Sequence, residues 1–252
     1  MLEIIDMERI AAAHWRGTEE ERLGGWLLRA AEGFTGRANS ALPLGDPGLP
    51  LDDALAEVTR WYRARGLPPM IAVPLRLDGG SPCNQLDTHL SERSWVTRPG
   101  PAFVMVADLD ALPAGGDLPV GAEFRVDAEP DDQWLACYRK KQRQPPVMRT
   151  LLMSAHAQAF ASIRDRVTGE VLAIGRLSIA DGWAGIAAVE VDSNHRRRGL
   201  GTALTAAICA EAASRGVRRV FLQVETGNAA AAALYERCGF RYSHRYHYRI
   251  AP

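Results

Sequence analysis

The sequence predicts an α/β (α+β) chain. A mixed, mostly antiparallel sheet is flanked by helices, and the N-terminal half is a degenerate copy of the C-terminal half. Three observations carry that expectation. In the second half, a meander of apolar runs leads into a glycine loop and then into helix, strand, helix, strand. The stretch Arg65-Gly66-Leu67-Pro68-Pro69-Met70-Ile71-Ala72 parallels Arg215-Gly216-Val217-Arg218-Arg219-Val220-Phe221-Leu222, and both read as helix end, turn, strand. Residues 112–121 are dense in proline and glycine and separate the halves. The division that follows is an N-terminal unit over 1–111, a linker over 112–121 and a C-terminal unit over 122–252.

Taken in order, residues 26–30 and 35–42 read as a hairpin turning through Glu32-Gly33. Leu51, Leu55, Val58 and Tyr62 fall at helical spacing, and that helix stops at Arg65-Gly66. Residues 90–95 stand where 234–239 stand in the second copy, and 103–107 supply a closing strand. Past the linker, 134–141 and 149–156 read as helices. Strands at 158–165 and 171–179 join through Thr168-Gly169, and Asp181-Gly182 turns the chain into a strand over 183–191. A short strand over 220–224 precedes a helix capped by Asn228 and stopped by Gly239, with Ala231, Leu234, Tyr235 and Cys238 on its apolar face.

Composition excludes several classes. Of 252 residues, 47% are hydrophobic and 24% charged, as in an ordinary globular protein. Lys plus Arg is 30 and Asp plus Glu is 30, so no global field favours nucleic acid or a membrane surface as partner. The four cysteines, at 83, 137, 209 and 238, form no C-x-x-C pair, and the histidines show no metal spacing, so no metal is expected. No signal peptide and no run of eighteen apolar residues is present, which makes the cytoplasm the default compartment. Both a monomer and a homodimer remain open.

The chemistry concentrates at Arg196-Arg197-Arg198-Gly199-Leu200-Gly201, between the strand over 183–191 and the next helix. Glycines let the backbone turn its N–H groups toward one point, the helix adds the positive end of its dipole, and the arginines add charge. The combination is an anion site sized for a pyrophosphate. No lysine follows the glycines, so it is not a P-loop; Leu204 stands where a dinucleotide fold needs its third glycine.

What remains, V-x-x-x-x-R-x-x-G-x-G from Val191 to Gly201, resembles the acetyl-CoA loop of the GNAT acyltransferase superfamily. Asn228 to Phe240 resembles the N-x-x-A-x-x-L-Y-x-x-x-G-F signature of the same superfamily. The resemblance implies a GNAT fold from about Glu123 onward, preceded by a degenerate GNAT-like unit, and acetyl-CoA as cofactor. It places the pyrophosphate over Arg196, Arg197, Arg198, Gly199, Leu200, Gly201 and Thr202, the pantetheine against the backbone of Val189 and Val191, and Asn228 on the cofactor besides its capping role. It gives Tyr235 the part of general acid toward the leaving thiolate. Where some relatives carry a glutamate base, this chain has Gln223, which takes no proton. Glu190 and Glu225 are the remaining candidate bases, either of them through water; an α-amine with a pKa near ~8 can also do with water alone. In the first unit Gly45-Asp46-Pro47-Gly48-Leu49-Pro50 has no arginines and Ser91 replaces the tyrosine, so that unit is expected to bind no coenzyme A.

For the acceptor, a small-molecule amine, three basic features suggest a carboxylate-bearing compound: Arg139, Lys140, Lys141 and Arg143; Arg241, Arg245, His247 and Arg249 on one strand face, with Tyr242, His244, Tyr246 and Tyr248 on the other; and Arg37 with Asn39. Leu27-Leu28-Arg29-Ala30, Arg37-Ala38-Asn39-Ser40 and Tyr246-His247-Tyr248-Arg249 resemble actinobacterial two-unit GNAT proteins, some assigned as N-acetylglutamate synthases. That implies the α-amine of glutamate. An antibiotic-like or peptide amine, and a non-catalytic acyl-CoA-binding regulator, are the alternatives.

Overall fold

The structure, a computed structural model, describes residues 2–80, 82–113, 117–138 and 145–252. The chain opens with helix α1 (Ile4–His14) and a small antiparallel sheet of β1 (Glu19–Leu23), β2 (Trp26–Ala30) and β3 (Leu42–Pro43). It continues through α2 (Leu51–Arg63), β4 (Met70–Leu75), α3 (Asn84–Glu92) and β5 (Val96–Asp108). The second half comprises β6 (Ala122–Asp127), α4 (Asp132–Cys137), α5 (Val147–Leu152), β7 (Ala157–Asp165), β8 (Val171–Ala180) and β9 (Trp183–Val191). It ends with α6 (Leu200–Ser214), β10 (Arg219–Glu225), α7 (Ala229–Arg237) and β11 (Arg241–Ile250).

The repeat seen in the sequence becomes a topological one. The series α2-β4-α3-β5 and α6-β10-α7-β11 run in the same order, and the eight-stranded sheet is ordered β4-β11-β5-β10-β9-β8-β7-β6. Strand β5 lies between β10 and β11, and β11 lies between β4 and β5. Each half thus places its last strand in the space between the last two strands of the other. Only β9 and β10 pair in parallel among these neighbours; the rest are antiparallel.

Strand alternation assigns the two faces. Val220, Leu222 and Val224 of β10 join the core beneath α6 and α7, with Leu204, Ile208 and Tyr235. Phe221 faces the other way and packs with Met7, Ala11 and Ala12 of α1. That second face is also covered by α4 and α5, whose Trp134, Val147 and Leu151 pack with Trp15 and Phe160. Among the described residues no helix is long and apolar enough to cross a membrane. Cys137, Cys209 and Cys238 are buried and Cys83 is partly so, and none of the four is in a disulfide.

Three expectations need correction, and a fourth falls partly outside the described residues. The partner of β2 along its length is β1, through a tight turn at Gly24-Gly25, and not residues 35–42, of which only Leu42 is in a strand. Asn39 explains why: its side chain accepts from the Ala31 and Gly33 N–H groups and donates to the Phe34 and Thr35 carbonyls, which fixes the segment as a loop. Helix α5 ends at Leu152 rather than 156, because the chain must extend into β7 from Ala157. Helix α4 is described only to Cys137; residues 139–144 lie outside the described residues. On β11, Tyr242 does not share a face with the other aromatics. A bulge between Tyr242 and His244 sends Tyr242 against Phe103, while His244, Tyr246 and Tyr248 turn toward α1.

Candidate active site

The site begins with one irregular residue. Ile174 faces Glu190 and Arg176 faces Ala187, so β9 spends one residue more than β8 over that interval. The extra residue is a bulge, and Ala188 within it has φ 54°. Strand β9 pairs with β10 only from Trp183/Arg219 to Ile186/Leu222, and beyond that the two diverge. The backbone of Val189 and Val191 is therefore free of β10 and available to an extended ligand. Nothing in Gly185-Ile186-Ala187-Ala188-Val189 advertises a bulge, since alanine rarely takes positive φ.

A groove of about 640 Å³ opens beside this divergence, between α6 and α7. Val189, Glu190, Val191, Arg196, Arg197, Gly199, Leu200, Gly201, Thr202, Asn228 and Tyr235 all line it. The loop before α6 is shaped for an anion. Arg197 has φ 62° and Gly199 φ 76°, and α6 carries no side-chain cap, so its first N–H groups are left for a ligand. A Cβ on Gly199 would project into open space, within reach of anything seated there. Gly201 is close-packed for a different reason: a Cβ there would stand 2.7 Å from Leu234 Cδ1, so that side chain of α7 would have to shift. Arg198 does not line the groove; its guanidinium turns to His195 Nδ1 at 3.1 Å. Helix α7, by contrast, is capped, with the Asn228 side chain accepting from Ala231 N–H at 3.1 Å. Gly-rich loop, bare helix end and two lining arginines fit a diphosphate.

Tyr235 sits on the inner face of α7, 7% exposed, with its ring edge against Phe240. Burial, then the nearby Cys238 and Glu190, raise its phenol well above the ordinary value, so the proton stays on. Glu190 and Glu225 are separated: Glu190 lines the groove, whereas Glu225 is exposed at the end of β10 and does not. Gln223 lies on the α1 face and accepts from Arg37 Nη1 at 2.9 Å.

The opposite face holds a second, smaller space of about 10 Å³ between Glu8, Trp15, Arg29, Arg37, Gln223, Tyr246 and Tyr248. Here the fully buried His244 meets Glu8 Oε1 at 2.8 Å through Nε2 and Ser243 Oγ at 3.0 Å through Nδ1. Glu8 and Trp15 come from α1 and the residue that follows it, and sequence reading named neither among the site residues. The basic face of β11 is not at this site. His247 and Arg249 both engage Asp87 of α3, at 3.0 and 2.8 Å, and Arg241 lies 3.5 Å from Asp108. Burial opposes ionisation of Asp87, but Arg249 and His247 outweigh it and hold the carboxyl below its usual range. Of the three basic features expected for the acceptor, Arg37 reaches the site, Asn39 fixes the loop that carries it, and 139–144 lie outside the described residues.

Comparison with known proteins shows the family. A family model described as the C-terminal region of the probable histone acetyltransferase Rv0428c matches residues 2–249. The chain is 29% identical over 255 residues to the uncharacterized N-acetyltransferase YobR of Bacillus subtilis, covering 99% of both. It is 32% identical over 253 residues to the probable histone acetyltransferase Rv0428c of Mycobacterium tuberculosis, covering 98% of this chain and 72% of that one. In fold it is similar to the GCN5-related N-acetyltransferase from Kribbella flavida, with a TM-score of 0.75 at 18% identity over 100% of this chain and 96% of that one. Matched by that family model along almost its whole length, and 32% identical to a relative of which it covers 72%, the chain belongs to the Rv0428c C-terminal family of GNAT N-acetyltransferases.

Proposed function

We propose that this chain transfers an acetyl group from acetyl-CoA to the primary amine of a small molecule, and that the α-amine of glutamate is the first acceptor to try. The observation that carries the reading is the groove at the β9–β10 divergence. It joins an uncapped, glycine-turned helix start to a buried tyrosine that keeps its proton.

Acetyl-CoA, when bound, supplies a thioester whose carbonyl carbon takes the acceptor nitrogen while the carbon–sulfur bond breaks and sulfur leaves with the electron pair. The N–H groups around Gly199 to Thr202, with Arg196 and Arg197, hold the diphosphate. The backbone of Val189 and Val191 orients the extended arm, and Asn228 fixes the start of α7 beside it. Tyr235 gives its proton to the departing sulfur, worth about 10²–10⁴ in rate for a positioned acid. Glu190 is the better placed of the two carboxylates to take the amine proton through water, since Glu225 lies outside the groove. Gln223 holds Arg37 rather than a proton.

Release of coenzyme A thiol, followed over a panel of amino acids, polyamines and peptides, tests this. Turnover with glutamate or another small amine is the expected outcome. Binding of acetyl-CoA without turnover on any amine overturns the catalytic reading.

A further inference from the structure

We propose that Arg37 and Arg176 together form a carboxylate-binding site on the α1 face, so that the accepted amine belongs to an amino acid or a similar carboxylate-bearing small molecule. The inference rests on the acetyltransferase reading above and narrows its acceptor.

Arg176 is the anomaly that points to a ligand. It lies on β8 and is 0% exposed. Its Nε donates to the Leu152 carbonyl at 2.6 Å and its Nη1 to the His14 carbonyl at 3.0 Å, while its Nη2 has no partner. Arg37 lies against the same indole: the guanidinium carbons are 4.6 Å (Arg37) and 5.3 Å (Arg176) from the centre of the Trp15 ring. Arg37 is held by the neutral amide of Gln223. Among the described residues, neither arginine forms an ion pair with a carboxylate. Two guanidiniums on one ring, each hydrogen-bonded to neutral groups, put positive charge side by side in a place poor in water, and Glu8, the carboxylate lining the space beside Arg37, is engaged by His244. Burial first, and the charge of Arg37 next, lower the affinity of Arg176 for its proton to about 9. An anion between them relieves the repulsion and gives Nη2 its acceptor.

Placement ties this site to the chemistry. Arg176 faces Ala187, next to the bulge at Ala188, and Gln223 is one residue past the last β9–β10 pair. The two guanidiniums therefore flank the β9–β10 gap on the side opposite Tyr235 and the groove. A carboxylate held there presents a nearby amine to the gap. The space beside Arg37 and Gln223 is only about 10 Å³, so the acceptor enters by displacing Gln223 from Arg37.

The test uses glutarate, a dicarboxylate without an amine, titrated calorimetrically into the wild-type chain and into Arg37→Met. Arg37 is partly exposed, so its replacement leaves the Arg176 contacts in place. Glutarate is expected to bind the wild type and to bind the variant at least tenfold more weakly. The KM for a carboxylate acceptor should rise by a similar factor with the KM for acetyl-CoA unchanged, and Arg176→Lys should show the same split if it folds. No glutarate binding, equal binding by Arg37→Met, or equal turnover of amino acids and their carboxamides overturns the carboxylate site. That last result leaves the acetyltransferase reading intact; failure to bind acetyl-CoA is the separate result that removes it.

Discussion

Tyr235 illustrates how much one side chain owes to its surroundings. Its sequence neighbours set it on an apolar helix face, and burial there raises its pKa, so it is an acid that cannot be lost by alkaline titration near neutrality. Tyr235→Phe should lower kcat by about 10²-fold, within the range for a removed general acid, and leave coenzyme A affinity unchanged. Steady-state kinetics with a calorimetric Kd check both halves of that statement; unchanged kcat removes Tyr235 from the mechanism. This residue was legible in the sequence because its spacing to Asn228 and Gly239 is a local pattern. Arg176 was not, because its meaning comes from Trp15 and His14, far away in the chain.

At the scale of elements, the docking of α1 carries a pH dependence. His14 ends that helix, 3% exposed, with Nδ1 against Ser178 Oγ at 2.8 Å and its ring edge on Phe221. Burial, with Arg176 adding, lowers its pKa from 6.5 to about 4. The unfolded chain therefore binds a proton on His14 below about 6.5 that the folded chain refuses until about 4. Stability should fall as pH drops through that window, by on the order of 3 kcal/mol from this group. Denaturant titrations at pH 7 and pH 4.5 should show the loss, and His14→Phe should reduce it; an equal loss in the variant contradicts the assignment. Elements with capping or turn chemistry were readable beforehand: Asp181-Gly182 turns with φ 50° and 73°, and Asn228 caps α7. The loop at 35–40 was misread as a strand because the side chain of Asn39 decides it, by bonds that alternation does not encode. The bulge at Ala188 left no trace for a similar reason: register against β8 creates it.

The whole molecule is organised by reciprocal insertion of β5 and β11. The repeat that suggested two units was legible from Arg65-Gly66 and Arg215-Gly216, yet no local pattern could reveal that each unit completes the other's sheet. One consequence is cooperativity. Because β5 lies between β10 and β11, and β11 between β4 and β5, neither half retains its full sheet alone: the second keeps β6 to β10 but leaves β11 without either neighbour. Fragments covering 1–111 and 122–252 should each fail to fold when produced separately, and the intact chain should unfold in one transition by calorimetry; two resolved transitions contradict this. A second consequence is functional. The insertion brings Glu8, Trp15 and Arg37 from the first half over the β9–β10 gap of the second, so on the proposed reading the acceptor side is built from residues outside the repeat that carries the groove.

The central claim is that the turn before α6 grips the diphosphate of coenzyme A. Gly199 is exposed, and a Cβ there meets nothing within 4 Å, so Gly199→Val should fold with a backbone strain of about 2 kcal/mol while crowding the ligand. Calorimetric titration of coenzyme A, with pantetheine as a control lacking the diphosphate, reads the effect directly. The wild type should bind coenzyme A at least tenfold more tightly than Gly199→Val, with pantetheine binding the two alike. Equal affinity of both proteins for coenzyme A would mean that the diphosphate is held elsewhere and that the site has been misplaced.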